Sequence, residues 1–333
     1  MTAARPEPSR QGIVCVGNWI LDIIHDIPAW PEKSELVCIS AQTTGLGGGA
    51  ANVAADLVAM GVPYPVIPVG LIGAGPLGDE ALALCRKAGL SLDRIARTSR
   101  AGTSQTHVMN VPGDSRTFFH HTGANDLLDA SHIDMAGLAA AGARIFYLGY
   151  LNLLATLDRI GPDGRSGAAQ VLAEARAHGM MTCVDLVSSQ AGDYRRTVMA
   201  TLPEIDVLFL NEIEAARASG IPITGENDRD GMIRAAHVLA HGGVRHAVIM
   251  HSARQVVWLE AGEAHIFRPE PLPPEKIVSA VGAGDAFAAG VLHGLHQDWP
   301  RDRAVALGFR AAAACLGAQT ATGGLAALRG AGS

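Results

Sequence analysis

Apolar and polar positions along the chain follow two alternating rhythms. Residues 12–17 form a short apolar run ending in Gly17, the pattern of a parallel strand buried on both faces. Comparable runs end near Ile72, Tyr150, Asp185, Asn211 and His251. Between them, residues 53–60 (stopping at Gly61), 167–178, 231–241 and 301–319 carry helical spacing, as does the small-residue stretch after Gly284. Strand and helix in alternation predict an α/β fold with a doubly wound, mostly parallel sheet, residues 1–333 forming one domain. Residues 256–259 and 264–267 alternate with period two and predict a hairpin near the sheet edge.

Two stretches break the rhythm. Pro28 and Pro31 interrupt residues 23–44, within which residues 36–40 read as extended. Residues 103–121 alternate on both sides of Pro112-Gly-Asp-Ser115, a strong hairpin signal. Together, about 20–45 and 103–123 predict a small β-sheet that projects as a lid, which would keep water from competing with a substrate.

Composition narrows the class. A chain of 333 residues with 48% hydrophobic and 17% charged residues is ample for a large buried core, as in a compact α/β enzyme. A net charge of −6 without a Lys/Arg run argues against nucleic acid as a partner. Five cysteines, scattered and without a Cys-x-x-Cys pair, indicate neither a disulfide framework nor a zinc knuckle and fit a reducing cytoplasm. The polar N-terminus lacks an apolar signal core, and the sequence shows no membrane-length apolar segment, so the expected location is cytoplasmic, with no membrane partner. His237 and His241 stand at helical spacing with no carboxylate to complete a metal site, and read as a solvated face.

Candidate chemistry concentrates at Gly282-Ala-Gly-Asp285, where a helix begins. Gly282, Ala283 and Gly284 let successive amides point at one oxyanion, to which the helix dipole adds partial positive charge. Asp285 has two readings: a cap for free N–H groups, or a general base that takes a hydroxyl proton as the hydroxyl attacks a γ-phosphate. There is no P-loop motif, so the anion hole must be mostly backbone. Gly73-Ala-Gly-Pro-Leu-Gly78 matches the dinucleotide fingerprint formally, but it does not lie in the first strand–helix unit and lacks the acidic residue at the required spacing.

The Gly-Ala-Gly-Asp core followed by a small-residue helix resembles the second signature of the ribokinase (phosphofructokinase-B) family of carbohydrate kinases, with Ser279 and Ala280 where Asp and Thr are usual. The Gly-rich segment ending at Asn52 resembles the family's first signature, although Gly49 replaces a common Lys. His121-Thr-Gly-Ala-Asn125 and Asn211-Glu-Ile-Glu214 resemble two further family elements, in the family's order.

The resemblance implies a ribokinase-like fold and ATP-dependent phosphorylation of a sugar or polyol hydroxyl. Asp285 would be the base and Gly282, Ala283 and Gly284 the anion hole. It places Asp22, Gly48, Gly49, Asn52 and Asn125 around the acceptor, and Asn211, Glu214, His251, Ser252 and Gly284 on the nucleotide side. Mg²⁺ would lie near Glu214, and a monovalent cation, K⁺, near the loop that Ser279 alters. A homodimer through the lid is expected. A nucleoside kinase is the nearest alternative, with an NAD-dependent oxidoreductase and a non-catalytic sugar-binding regulator further off; Trp19, near the proposed pocket, does not choose among them.

Overall fold

The computed structural model describes residues 11–111, 116–190 and 192–330, so the polar N-terminus, the predicted 112–115 turn and the last three residues lie outside the described residues. The short apolar runs become strands: β1 (Ile13–Gly17), β4 (Val66–Gly73), β5 (Ile95–Thr98), β8 (Ile145–Leu151), β9 (Met181–Leu186), β10 (Val207–Asn211), β11 (Ala247–His251), β12 (Val256–Glu260) and β13 (Glu263–Phe267). Among the described residues they form one sheet in the order β13-β12-β11-β10-β9-β8-β1-β4-β5. All neighbours pair in parallel except at the β13 edge, where the predicted hairpin joins antiparallel.

Alternate side chains of the central strands feed two cores. Val14, Val16, Phe146, Leu148 and Leu208 face one core, and Ile13, Cys15, Ile145, Tyr147 and Phe209 the other. The helices divide accordingly. Helices α1 (Gly49–Met60), α2 (Pro76–Lys87), α9 (Ala283–His296) and α10 (Arg301–Leu316) pack on the second face. On the first face lie α3 (Met135–Ala140), the short α4 (Ala155–Asp158), α5 (Gly167–Ala177), α6 (Tyr194–Thr201), α7 (Glu212–Ser219) and α8 (Arg229–His241). Apolar burial on both sides of a parallel sheet explains why its strands read as continuous apolar runs.

The lid is a separate four-stranded sheet, β3-β2-β6-β7, built from β2 (Ile20–Asp26), β3 (Ala41–Gly47), β6 (Ser104–Asn110) and β7 (Thr117–His121). Two local expectations are corrected. Residues 36–40 lie in no strand, and β3 instead begins at Ala41 and includes Gly45 and Gly47. A Cβ on Gly47 would come within 2.2 Å of Asp22 Oδ2, so the bare strand accommodates that carboxylate. Helix α1 starts at Gly49 rather than Val53, which puts Asn52 in its first turn. Asp22 sits inside β2, paired with Gly45 and Thr106, within the predicted lid.

Trp19 joins the two sheets. Only 1% exposed, it donates Nε1–H to Val69 O at 2.9 Å and its backbone N–H to Asn125 Oδ1 at 3.2 Å. It is therefore a core residue at the hinge of the lid, not a stacking platform for a substrate base. Trp19→Ala is expected to lower the free energy of unfolding by about 3–5 kcal/mol in a denaturant titration, through loss of buried area and an unpaired Val69 carbonyl.

Candidate active site

Helix α9 begins on Gly282, whose φ of 82° lies in the left-handed region and whose added Cβ would meet Ala321 O at 2.5 Å. Glycine is required there on both counts. No side chain caps this helix, so its first amides are left to a ligand, with the helix dipole behind them. Asp285 lies in the first turn but makes no cap hydrogen bond.

The Asp285 carboxylate, 3% exposed, is held by one oxygen. Oδ2 accepts from Asn52 Nδ2 at 2.8 Å and from the Tyr150 hydroxyl at 2.7 Å, whereas Oδ1 has no hydrogen-bond partner. Burial pushes its pKa up to about 6 against the pull of those two donors.

Tyr150 went unnoticed as a site residue in the sequence, although its signal was present. A Cβ on Gly49 would fall 2.7 Å from the Tyr150 ring, so the glycine that replaces the family's usual lysine makes room for this tyrosine. Asp56 was missed as well, the one charged residue within the apolar stretch 53–60. It is fully buried one turn after Asn52, and neither carboxylate oxygen has a hydrogen-bond partner. Burial and then the charge of Asp285 raise its pKa well above the usual carboxylate range, which favours its neutral form.

Further acids surround this centre. Asp22 is raised to about 7 by burial and by Asp285, with the Thr106 hydroxyl pulling the other way. Asp185 accepts from Tyr147 Oη at 3.3 Å and is raised by burial, Asp285 and Glu214. Glu214, 4% exposed, is raised to about 7 mainly by burial. Asn211 caps α7 and forms a capping box with Glu214, whose Oε2 accepts from Asn211 N at 2.8 Å. Glu214 Oε1 accepts from Ser188 Oγ at 2.9 Å and Asn211 Nδ2 at 2.8 Å.

The remaining predicted residues take their places around Asp285 or apart from it. Gly48 precedes α1 as its cap residue. Asn125 is fully buried; its Oδ1 serves Trp19 N, leaving Nδ2 without a partner. His251 ends β11, with its Cε1 3.0 Å from the position of a Cβ on Gly284, and burial lowers its pKa to about 4, so it is neutral near pH 7. The Ser252 hydroxyl donates to Glu226 O at 2.9 Å and accepts from Gln255 N at 3.1 Å in the β11–β12 turn. His120 and His121 lie on opposite faces of β7, the first bonded to Thr106 Oγ1 at 3.0 Å and the second exposed.

The Gly73–Gly78 turn is consumed by packing. Gly73 N donates to Thr103 Oγ1 at 3.2 Å, and a Cβ on Gly78 would lie 2.0 Å from Gly73 O. His241 Nδ1 donates to His237 O at 2.7 Å, and no group of three or more His, Cys, Asp or Glu residues able to hold a metal occurs among the described residues. The mutual repulsion of Asp185, Glu214 and Asp285 suits a cation.

Comparison with known proteins places this geometry. The model of the pfkB family of carbohydrate kinases matches residues 10–327. The chain belongs to that family. It is 24% identical over 343 residues to an adenosine kinase of Schizophyllum commune, covering 91% of this chain and 94% of that protein. A cytidine kinase of Thermococcus kodakarensis is 30% identical over 140 residues, 41% of this chain and 47% of that one. The structure of Arabidopsis thaliana ribokinase complexed with ribose and ATP superposes with a TM-score of 0.75 at 22% identity, covering 95% of each chain. The fold is thus ribokinase-like, with the nine-stranded sheet and the lid as its two parts. Among the described residues of this pfkB family member, no helix is long and apolar enough to cross a membrane.

Two outcomes follow from the electrostatics. The raised pKa of Asp285 favours folding of the ligand-free protein below pH 3.8, and that contribution is lost as pH rises through about 6. Asp285→Asn should therefore stabilise the ligand-free protein near neutral pH, by on the order of 1–3 kcal/mol, as measured by chemical denaturation. In Tyr150→Phe the carboxylate loses a donor, and the titration of Asp285 followed by NMR should move up by roughly half to one pH unit.

Proposed function

We propose that the protein is an ATP-dependent kinase that transfers the γ-phosphoryl group to a hydroxyl of a monosaccharide or related polyol. The observation that carries this reading is the asymmetry of Asp285: Oδ2 is fixed by Asn52 and Tyr150, while Oδ1 is unpartnered at the uncapped start of α9. In this mechanism Oδ1 takes the hydroxyl proton as the acceptor oxygen bonds to the γ-phosphorus, and the bond from phosphorus to the bridging oxygen breaks, releasing ADP. The amides of Ala283, Gly284 and Asp285 stabilise charge on the transferring group.

Asp22, Gly48, Gly49, Asn52 and Asn125 form the acceptor side, with the unpartnered Asn52 Oδ1 and Asn125 Nδ2 as an available acceptor and donor. Asn211, Glu214, His251, Ser252 and Gly284 form the nucleotide side. Glu214 and Asp185 would hold Mg²⁺ through water, and the ion would neutralise charge on the ATP phosphates. The chain would act as a single domain with its lid. Its five free cysteines suit a reducing compartment, and we assign it to the cytoplasm.

A nucleoside acceptor is the second reading, favoured by the adenosine and cytidine kinases among the relatives. Phe118 supports it: 54% exposed, it shares the lid face of Asp22, since Val108 pairs with Phe118 and Ile24, and Thr106 with Asp22. Phe119 points to the opposite face, where its ring lies 6.4 Å from that of Trp30, and both are exposed. That outward aromatic pair supports a homodimer through the lid.

Three measurements test these assignments. ADP release from Mg·ATP against a panel of sugars, sugar acids, phosphosugars and nucleosides should show turnover with one acceptor group. Asp285→Asn should lower kcat on the order of 10²-fold or more, ~3 kcal/mol, with nearly unchanged ATP binding; a folded variant with normal turnover would remove Asp285 as the base. Light scattering should give a dimer for the wild type and a monomer for Phe119→Asp; a wild-type monomer would refute the lid interface.

A further inference from the structure

The family resemblance implies a monovalent cation beside the catalytic loop, and the residues present do not fit one. Where a carboxylate is usual stands Ser279, 3% exposed. Its hydroxyl is taken from two sides: Arg116 Nη1 donates to Oγ at 2.5 Å and Val281 N at 3.2 Å. Cys315 Sγ lies 3.4 Å from Val281 O and 3.3 Å from Ala321 O, so its single S–H is directed at the carbonyls of the adjoining loops and can serve one of them. A permanently charged guanidinium replaces the carboxylate-and-ion arrangement at the first residue of the loop that leads to Gly282.

Arg116 comes from the lid. Cross-strand partners share a face, so Asp22, Thr106 and His120 lie on one side of the lid sheet, with Asp26 and Asn110 further along it. Arg116 immediately precedes β7 and continues the alternation from His120 and Phe118 onto that side. A relay holds it there: Arg116 Nε donates to Asn110 Oδ1 at 3.2 Å, and Asn110 Nδ2 donates to Asp26 Oδ1 at 2.6 Å. One lid face thus places Asp22 near Asp285 and a guanidinium on Ser279.

We propose that Arg116 is a positioning residue whose guanidinium, delivered by the lid, supplies the fixed positive charge of the catalytic loop in place of a monovalent cation. The loop turn at Ser279 to Val281, and with it the amides that follow Gly282, is set only when the lid is docked. This deepens the kinase assignment and rests on it, so the test includes a readout that does not need turnover.

Wild-type turnover in potassium, sodium and choline chloride at equal ionic strength should agree within about twofold. Arg116→Ala should lose roughly tenfold or more in kcat with a smaller change in KM for ATP, and millimolar guanidinium ion or the Arg116→Lys variant should restore part of it. Without any substrate, hydrogen exchange of the amides of residues 279–284 should quicken in Arg116→Ala, while exchange in the β8 and β9 core is unchanged. Stimulation of the wild type by potassium several-fold over choline would overturn the proposal and move the cation to a carboxylate such as Asp56. Unchanged exchange at 279–284 in Arg116→Ala would overturn it too, whether or not an acceptor has been found.

Discussion

The fixing of one oxygen of a buried carboxylate is the constraint on which the rest of the site depends. Asp285 is kept out of water by a close-packed helix pair and approached by donors from two other elements, Asn52 on α1 and Tyr150 on β8. Each donor has its own requirement. Asn52 must lie in the first turn of α1, and Tyr150 needs a residue without a side chain at position 49. A hydrogen-bonded carboxylate with one free oxygen is both oriented and basic enough to accept a proton near neutral pH.

That arrangement carries a stability penalty. Asp22, Asp185, Glu214 and Asp285 crowd one buried region, and burial together with their mutual repulsion raises the pKa of each acid or of its neighbours. Electrostatic strain of this kind would be relieved by a cation bound among these acids. The doubly wound core bears this cost because each face of its sheet is sealed by helices and is almost wholly apolar. The lid joins that core through Leu46 on β3 and through Trp19, and it reaches the loop before α9 by polar contacts such as Arg116 to Ser279.

Most of the fold was legible in the sequence because a parallel sheet buried on both faces leaves continuous apolar runs, and helices between them leave a 3.6-residue period. The alternation of strands and helices, the edge hairpin and the lid followed from those rhythms and from turn residues, whereas the order of strands within the sheet did not. Glycine misled locally. The cluster from Gly45 onward reads as a turn before a helix, yet Gly45 and Gly47 belong to β3, where Gly47 leaves space for Asp22, and Gly49 already belongs to α1. Of the candidate site, the Gly282–Gly284 turn and Asp285 were visible as small residues before a helix, and Asn211 with Glu214 as a pair one turn apart.

What the sequence determined by itself was therefore the architecture and the local chemistry whose partners lie within a few residues. Tertiary structure alone decided the pairings across long separations: Tyr150 with Asp285, Arg116 with Ser279, Trp19 with Val69, and the buried solitude of Asp56. The physical reason is that a hydrogen bond depends on a distance in space, and nothing in composition or periodicity records which side chains the sheet order and the lid bring within about 3 Å.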